Sequence, residues 1–232
     1  VAPEAQQRQV DTAGLAQHTA PVRASPTPPG LHPGNPVDLN APRARLIAIN
    51  TAQPDRANWK ELIPQTADTL AGVGTVGNRF VAEYLKDARS VVKLFALDGR
   101  FERHVELPGI GSAGGFGGKR AETETFYSFT GFTVPGRVYR YGFTTGTSTL
   151  WREPKVDFNP DDFETKQVFY SSKDGTRVPM FLVHKRGLKL DGQRPTLLYG
   201  YGGFNISLTP GFSVGRAAWL EMGGVYALAN LR

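Results

Sequence analysis

Residues 112–154, SAGGFGGKRAETETFYSFTGFTVPGRVYRYGFTTGTSTLWREP, decide the fold of the larger part of this chain. Four short runs stand out: SAGGFGG, ETFYSFTGF, RVYRYGF and STLWREP. Apolar and polar residues alternate along them, and turn-forming residues separate them. This is the period of half-buried strands. Working upstream, the same layout returns. A strand ending in proline occurs as WKELIP, FERHVELP and STLWREP, closing at Pro64, Pro108 and Pro154. Each is preceded by an alternating strand, RLIAIN (45–50), VVKLFAL (91–97) and RVYRYGF (137–143). Two more strands fit before each of the later pairs, LAGVGTVG with RFVAEYLKD and SAGGFGG with ETFYSFTGF. Four strands in a repeat of about 45 residues is the arithmetic of a β-propeller blade. Two whole blades and the outer half of a third are expected over residues 42–156.

The flanking segments differ. Residues 1–41 hold seven prolines between Pro3 and Pro36, with no aromatic residue before Trp59. A segment so poor in large apolar side chains cannot offset its ordering entropy by burial, so a disordered, polyproline-like tail is expected there. After Pro154 a hairpin is predicted over 166–185, turning at Asp174-Gly175. An apolar strand (195–203), a helix from about Ser213 to Met222 and a buried strand (225–231) follow. Strand, helix and strand with apolar strands mean a parallel α/β unit over 157–232. The fold class is therefore mixed: partial propeller, then α/β.

Composition narrows function. The net charge is +6, but the basic residues are scattered and their longest runs are Lys119-Arg120 and Lys185-Arg186. No stripe tracks a phosphate backbone, so nucleic acid is not an expected partner. With no cysteine there is no disulfide, thiolate metal site or cysteine nucleophile. No apolar run is long enough for a membrane helix. A soluble protein is expected, in cytoplasm or periplasm, with the compartment left open. No pair of histidines has metal-ligand spacing, and no metal or other cofactor is expected.

Three motifs carry candidate chemistry. GIGSAG (109–114) matches a dinucleotide fingerprint, but strand-forming sequence follows it where a helix is required; its glycines are read as relieving crowding where an inner blade strand nears the propeller axis. GFSVG (211–215) matches the G-x-S-x-G elbow of serine hydrolases. Yet NISLTPGF separates Ser213 from the strand before it, and neither Asp nor His follows within the sequence. Ser213 is read instead as the N-cap of the helix, its hydroxyl accepting a first-turn N–H, with Val214, Ala217, Ala218 and Met222 on the packed face. LLYGYGGFN (197–205) suits a loop at the C-terminal edge of a parallel sheet, where ligands sit. It equally suits a glycine-relieved turn with packed aromatics, and spacing alone does not choose between the two.

SKDGTRVPMFLVHK (172–185) and LLYGYGGFNIS (197–207) resemble the start of the catalytic domain of the prolyl oligopeptidase family. AEYLKDARS, LPGIGSAGGFGGKRAETETFYSFTGFTVPG and STLWREPKVDF resemble its last propeller blades. The resemblance covers about residues 37–232 and implies a seven-bladed propeller set into an α/β-hydrolase domain. It implies a serine endopeptidase that cleaves short peptides after proline, the propeller keeping large proteins out. By the same resemblance Tyr201 donates its hydroxyl to the oxyanion and Phe204 helps form the proline pocket. The family's serine, aspartate and histidine have no counterpart in this sequence, and neither do its first blades. The chain is thus expected to be a part of such an enzyme that needs the missing N- and C-terminal parts for activity. The alternative is a non-enzymatic propeller binding module with a vestigial hydrolase segment.

Overall fold

The computed structural model describes residues 31–33, 38–204 and 206–231. Its first half is three antiparallel sheets. The first contains β1 (Leu31–Pro33), β2 (Leu46–Asn50) and β3 (Lys60–Ile63). The second runs in order through β4 (Thr69–Val76), β5 (Arg79–Lys86), β6 (Arg89–Ala96) and β7 (Phe101–Val105). The third holds β8 (Ser112–Gly117), β9 (Glu124–Thr130), β10 (Arg137–Gly142) and β11 (Ser148–Arg152). Two four-stranded meanders match the expected blades strand for strand. The tail expectation needs correction at two places: Leu31–Pro33 pair antiparallel with β2, giving the first blade a third strand, and residues 38–41 form a turn in which Ala41 N donates to Asp38 O at 2.8 Å and Ala41 is buried. An open sheet edge at β2 offers hydrogen bonds to whatever chain lies beside it, even a proline-rich one. The rest of the expected tail up to residue 37 lies outside the described residues.

The blades stack face to face because each strand splits its side chains between two neighbours. On β5, Phe80, Ala82 and Tyr84 join Leu46, Ile63, Leu70 and Phe95 in one core, while Val81 joins the next. That second core packs Val76, Val92, Leu94 and Val105 against Phe116, Tyr127, Phe129, Tyr139 and Phe143. Its rings are layered, Phe116 on Tyr127 at 4.5 Å and Tyr127 on Tyr139 at 5.4 Å. Each fully buried side chain of this kind contributes about 1.5–3 kcal/mol by leaving water. GIGSAG lies in this packing: it leads into β8, with no helix after it. A Cβ at Gly111 would meet the Phe129 ring at 2.2 Å, so glycine is there for strand packing.

The second half is one mixed sheet in the order β12-β13-β15-β14. The predicted hairpin is β12 (Phe163–Ser171) and β13 (Arg177–Lys185), with Gly175 at φ +81° in its turn. The other strands, β14 (Thr196–Gly200) and β15 (Val225–Ala229), are parallel. The helix α1 (Val214–Glu221) connects them and ends where Gly223 takes φ +88°. Two details differ from expectation. Ser213 is at the N-cap position, but its side chain makes no capping bond; the residue is exposed, and its carbonyl accepts from Ala217 N at 3.0 Å. The buried face is Ala217 and Leu220, whereas Val214 and Met222 are both 76% exposed. Ala217, Leu220 and half-buried Arg216 and Trp219 form the stripe packed toward β13 and β15, which turns the 214/218/222 row outward.

A third core joins the two halves. Ala88 and Phe132 from the blades pack with Phe163, Phe181, Val183, Leu220, Tyr226 and Leu228. The Arg216 guanidinium lies 5.1 Å from the Phe132 ring centroid and 4.8 Å from that of Tyr226. Polar ties surround this core. Ser112 Oγ donates to Pro210 O (2.6 Å), Phe212 N donates to Thr130 Oγ1 (3.2 Å), and Gln167 Nε2 donates to Asp87 O (2.6 Å). No helix among the described residues is long and apolar enough to cross a membrane.

Candidate active-site edge

Parallel strands put the ends of β14 and β15 at the same edge of the sheet, and the chain leaves β14 there as Tyr201-Gly202-Gly203-Phe204. Gly200 still pairs with Ala229, and a Cβ on it would come within 3.0 Å of Leu231 Cδ1. Past that point the backbone turns. Phe204 takes φ +55°, and Ile206 N donates to Gly203 O at 3.2 Å. Tyr201 folds back over its own turn: a Cβ at Gly203 would lie 2.9 Å from the Tyr201 hydroxyl oxygen. Glycine at 203 therefore makes room for that phenol. Tyr201 is 37% exposed and Phe204 is 91% exposed. The structure thus places the two predicted site residues three positions apart on one turn, with Phe204 projecting from it. Among the described residues no apolar wall encloses Phe204.

Beside this turn a cleft of about 600 Å³ opens between the blades and the mixed sheet. Arg43, Asp87 and Ala88 line it on the blade side, and Gly202, Ser207 and Asn230 on the sheet side. Tyr201 and Phe204 are not among its lining residues.

The other candidates are scattered. His104 is exposed on β7, its ring 5.2 Å from that of Phe101. His184 is fully buried on β13, with Nδ1 2.8 Å from Lys185 O and 3.6 Å from Glu164 Oε1. Among the described residues no serine hydrogen-bonds a histidine, and Ser213 opens a helix instead of an elbow. No three His, Asp or Glu side chains of the described residues gather as a metal site would require. Four blade residues titrate away from their ordinary values. Burial raises Glu83, and it raises the phenols of Tyr127, Tyr141 and Tyr84, the last to about 12 with Asp68 adding to the effect.

One residue at this edge escaped sequence reasoning. Asn230, directly after β15, reaches across to residue 208 with both ends of its carboxamide. An asparagine closing an apolar strand was the only signal.

Residues 36–154 match the family model described as prolyl oligopeptidase, N-terminal beta-propeller domain. The chain belongs to the prolyl oligopeptidase family. Prolyl endopeptidase of Elizabethkingia meningoseptica is 46% identical over 195 residues, which cover 84% of this chain and 28% of that protein. Prolyl oligopeptidase A of Galerina marginata is 36% identical over 199 residues, covering 83% and 27%. A solved prolyl endopeptidase superposes with a TM-score of 0.77 at 47% identity, covering 84% of this chain and 29% of that one. Prolyl oligopeptidase B of Galerina marginata, bound to a 35mer hydrolysis and macrocyclization substrate, gives 0.76 at 32% identity, covering 86% and 29%. The prolyl oligopeptidase match therefore reaches beyond the blades into the mixed sheet. The chain spans under a third of the length of these relatives.

Proposed function

We propose that this chain is part of a serine endopeptidase that hydrolyses short peptides on the carboxyl side of proline. The observation that carries the reading is the Tyr201–Phe204 turn, set at the C-terminal edge of a parallel strand pair in a chain of this family. In acyl transfer, a serine oxygen attacks the carbonyl carbon and the carbonyl oxygen becomes an oxyanion. A donor aimed at that oxygen stabilises the transition state more than the ground state. Tyr201 supplies such a donor, and the exposed ring of Phe204 supplies an apolar wall for a proline side chain. Nucleophile, base and orienting acid come from outside these 232 residues. Residues 157–232 are read as the beginning of an α/β-hydrolase domain, a reading supported by the β14–α1–β15 unit and its loop.

The test is Tyr201→Phe in a polypeptide that carries this sequence and turns over a proline-amide chromogenic substrate. Loss of one oxyanion donor predicts kcat lower by about 10²–10³-fold with KM little changed. Retention of kcat within about threefold removes Tyr201 from the oxyanion site.

A further inference from the structure

We infer that Asn230 is a positioning residue for the Tyr201 turn, its carboxamide standing in for a missing β-strand. The inference rests on the reading of Tyr201 as oxyanion donor. The chain leaves the sheet at Gly200, and the described residues before the Asn230 contact, 201–204 and 206–208, lie in no strand. Their start is fixed by the β14 ladder, through Gly200 opposite Ala229. Their end is fixed by Asn230: Leu208 N donates to Asn230 Oδ1 at 2.8 Å, and Asn230 Nδ2 donates to Leu208 O at 3.2 Å.

That reciprocal pair is the pattern two residues of neighbouring strands exchange, made here by one side chain against one backbone. At neutral pH a carboxamide offers a donor and an acceptor at this spacing, whereas a carboxylate of the same shape offers acceptors alone. The anchor behind it is rigid, because Asn230 N donates to Pro179 O at 3.0 Å and continues the sheet between β13 and β15. Leu208 in turn packs against the core that joins the two halves. Tyr201 therefore sits on a loop clamped at both ends, with the Gly203–Ile206 turn between them. Released at Leu208, the loop keeps its connection to β14 but loses the geometry that fixes where the phenol points. Displacement of a transition-state donor by about 1 Å costs on the order of 10²-fold in rate.

The test uses Asn230→Ala and the isosteric Asn230→Asp, alone and with Tyr201→Phe, in the polypeptide used for Tyr201→Phe. Asn230→Ala is expected to lower kcat about 10–100-fold with KM within about threefold, and to cost under threefold more in the Tyr201→Phe background. Asn230→Asp keeps the acceptor but turns a carboxylate oxygen toward Leu208 O. Protonation restores a donor, so its kcat relative to wild type rises as pH falls from about 8 to about 5. Arg43 and Asp87 are the charged groups lining the same cleft, and both are present in wild type and variant alike. Hydrogen exchange at the Leu208 amide speeds up in Asn230→Ala, with β5 and β6 unaffected.

Several results overturn the inference. Equal losses from Asn230→Ala with and without Tyr201 make the residue merely structural. Unchanged exchange at Leu208, or a flat Asn230→Asp ratio, removes the clamp. If Tyr201→Phe is impaired and Asn230→Ala is not, the positioning role fails while the oxyanion reading stands; if Tyr201→Phe is unimpaired, that reading itself fails.

Discussion

Glu83 shows how a single residue can work against the packing around it. It follows Val81 by two positions on β5, so both face the third sheet. Val81 enters the aromatic core there, and the Glu83 carboxylate lies near Gly114, where a Cβ would be 3.5 Å from Oε2. Among the described residues no salt bridge reaches it, and burial raises its pKa above the ordinary 4.5. The folded state then holds the proton more tightly than the unfolded state. Stability from this group is fully present below about pH 4.5 and is lost as pH rises through the folded value. Glu83→Gln removes the desolvation cost of the charge. It should be more resistant to urea than wild type near pH 7, with the gap closing toward about pH 4. A variant less stable at neutral pH, or a gap that ignores pH, would mean that Glu83 has a partner in the folded protein.

At the scale of elements, α1 separates what periodicity can fix from what it cannot. The helix lies where the sequence places it, between an extended Ser213 and a left-handed Gly223. The capping bond is absent, so Ser213→Ala should change stability by less than about 0.5 kcal/mol, measured by urea unfolding. A loss of about 1 kcal/mol would restore the hydroxyl to a capping role. The packed face also departs from the sequence reading, because Val214, Ala218 and Met222 form as good an apolar stripe as Ala217 and Leu220. Only the position of β13 and β15 decides between them. The blade strands had no such ambiguity: period 2 leaves two faces, and in a stack of blades both are occupied, as Val81 and Ala82 show. Of the candidate site, the turn alone was legible. Tyr-Gly-Tyr-Gly-Gly announces a turn at a sheet edge, and the turn is there. The tie from Asn230 to Leu208 spans 22 residues of chain and depends on β14 and β15 being neighbours. Strand β1 was hidden for the converse reason, since Leu-His-Pro has no alternation of its own and pairs because β2 has a free edge.

For the whole molecule the question is whether blades and mixed sheet behave as one body. Among the described residues the bonds between them are few and mostly reach backbone groups, as with Ser112 to Pro210 and Gln167 to Asp87. A handful of such bonds contributes about 0.5–1.5 kcal/mol each. Apolar burial contributes more, and it is concentrated on Phe132, which leaves the blades after β9 and is 1% exposed. Its ring lies 5.2 Å from that of Phe181 and 5.9 Å from that of Tyr226, with the Arg216 guanidinium against it. Phe132→Ala should therefore cost about 3–5 kcal/mol, chiefly at the junction. Hydrogen exchange can locate that cost, because local opening energies read out residue by residue. Amides of β13, β15 and α1 should exchange about 10²–10³-fold faster in the variant, while the β5–β6 ladder, whose core excludes Phe132, keeps its protection. Equal acceleration in both regions would show that blades and sheet open as a single unit. No acceleration in either would show that the polar ties hold the halves together without the ring. The predicted outcome, fast exchange confined to the sheet, makes Phe132 the contact through which the blades stabilise the strand pair carrying Tyr201 and Asn230.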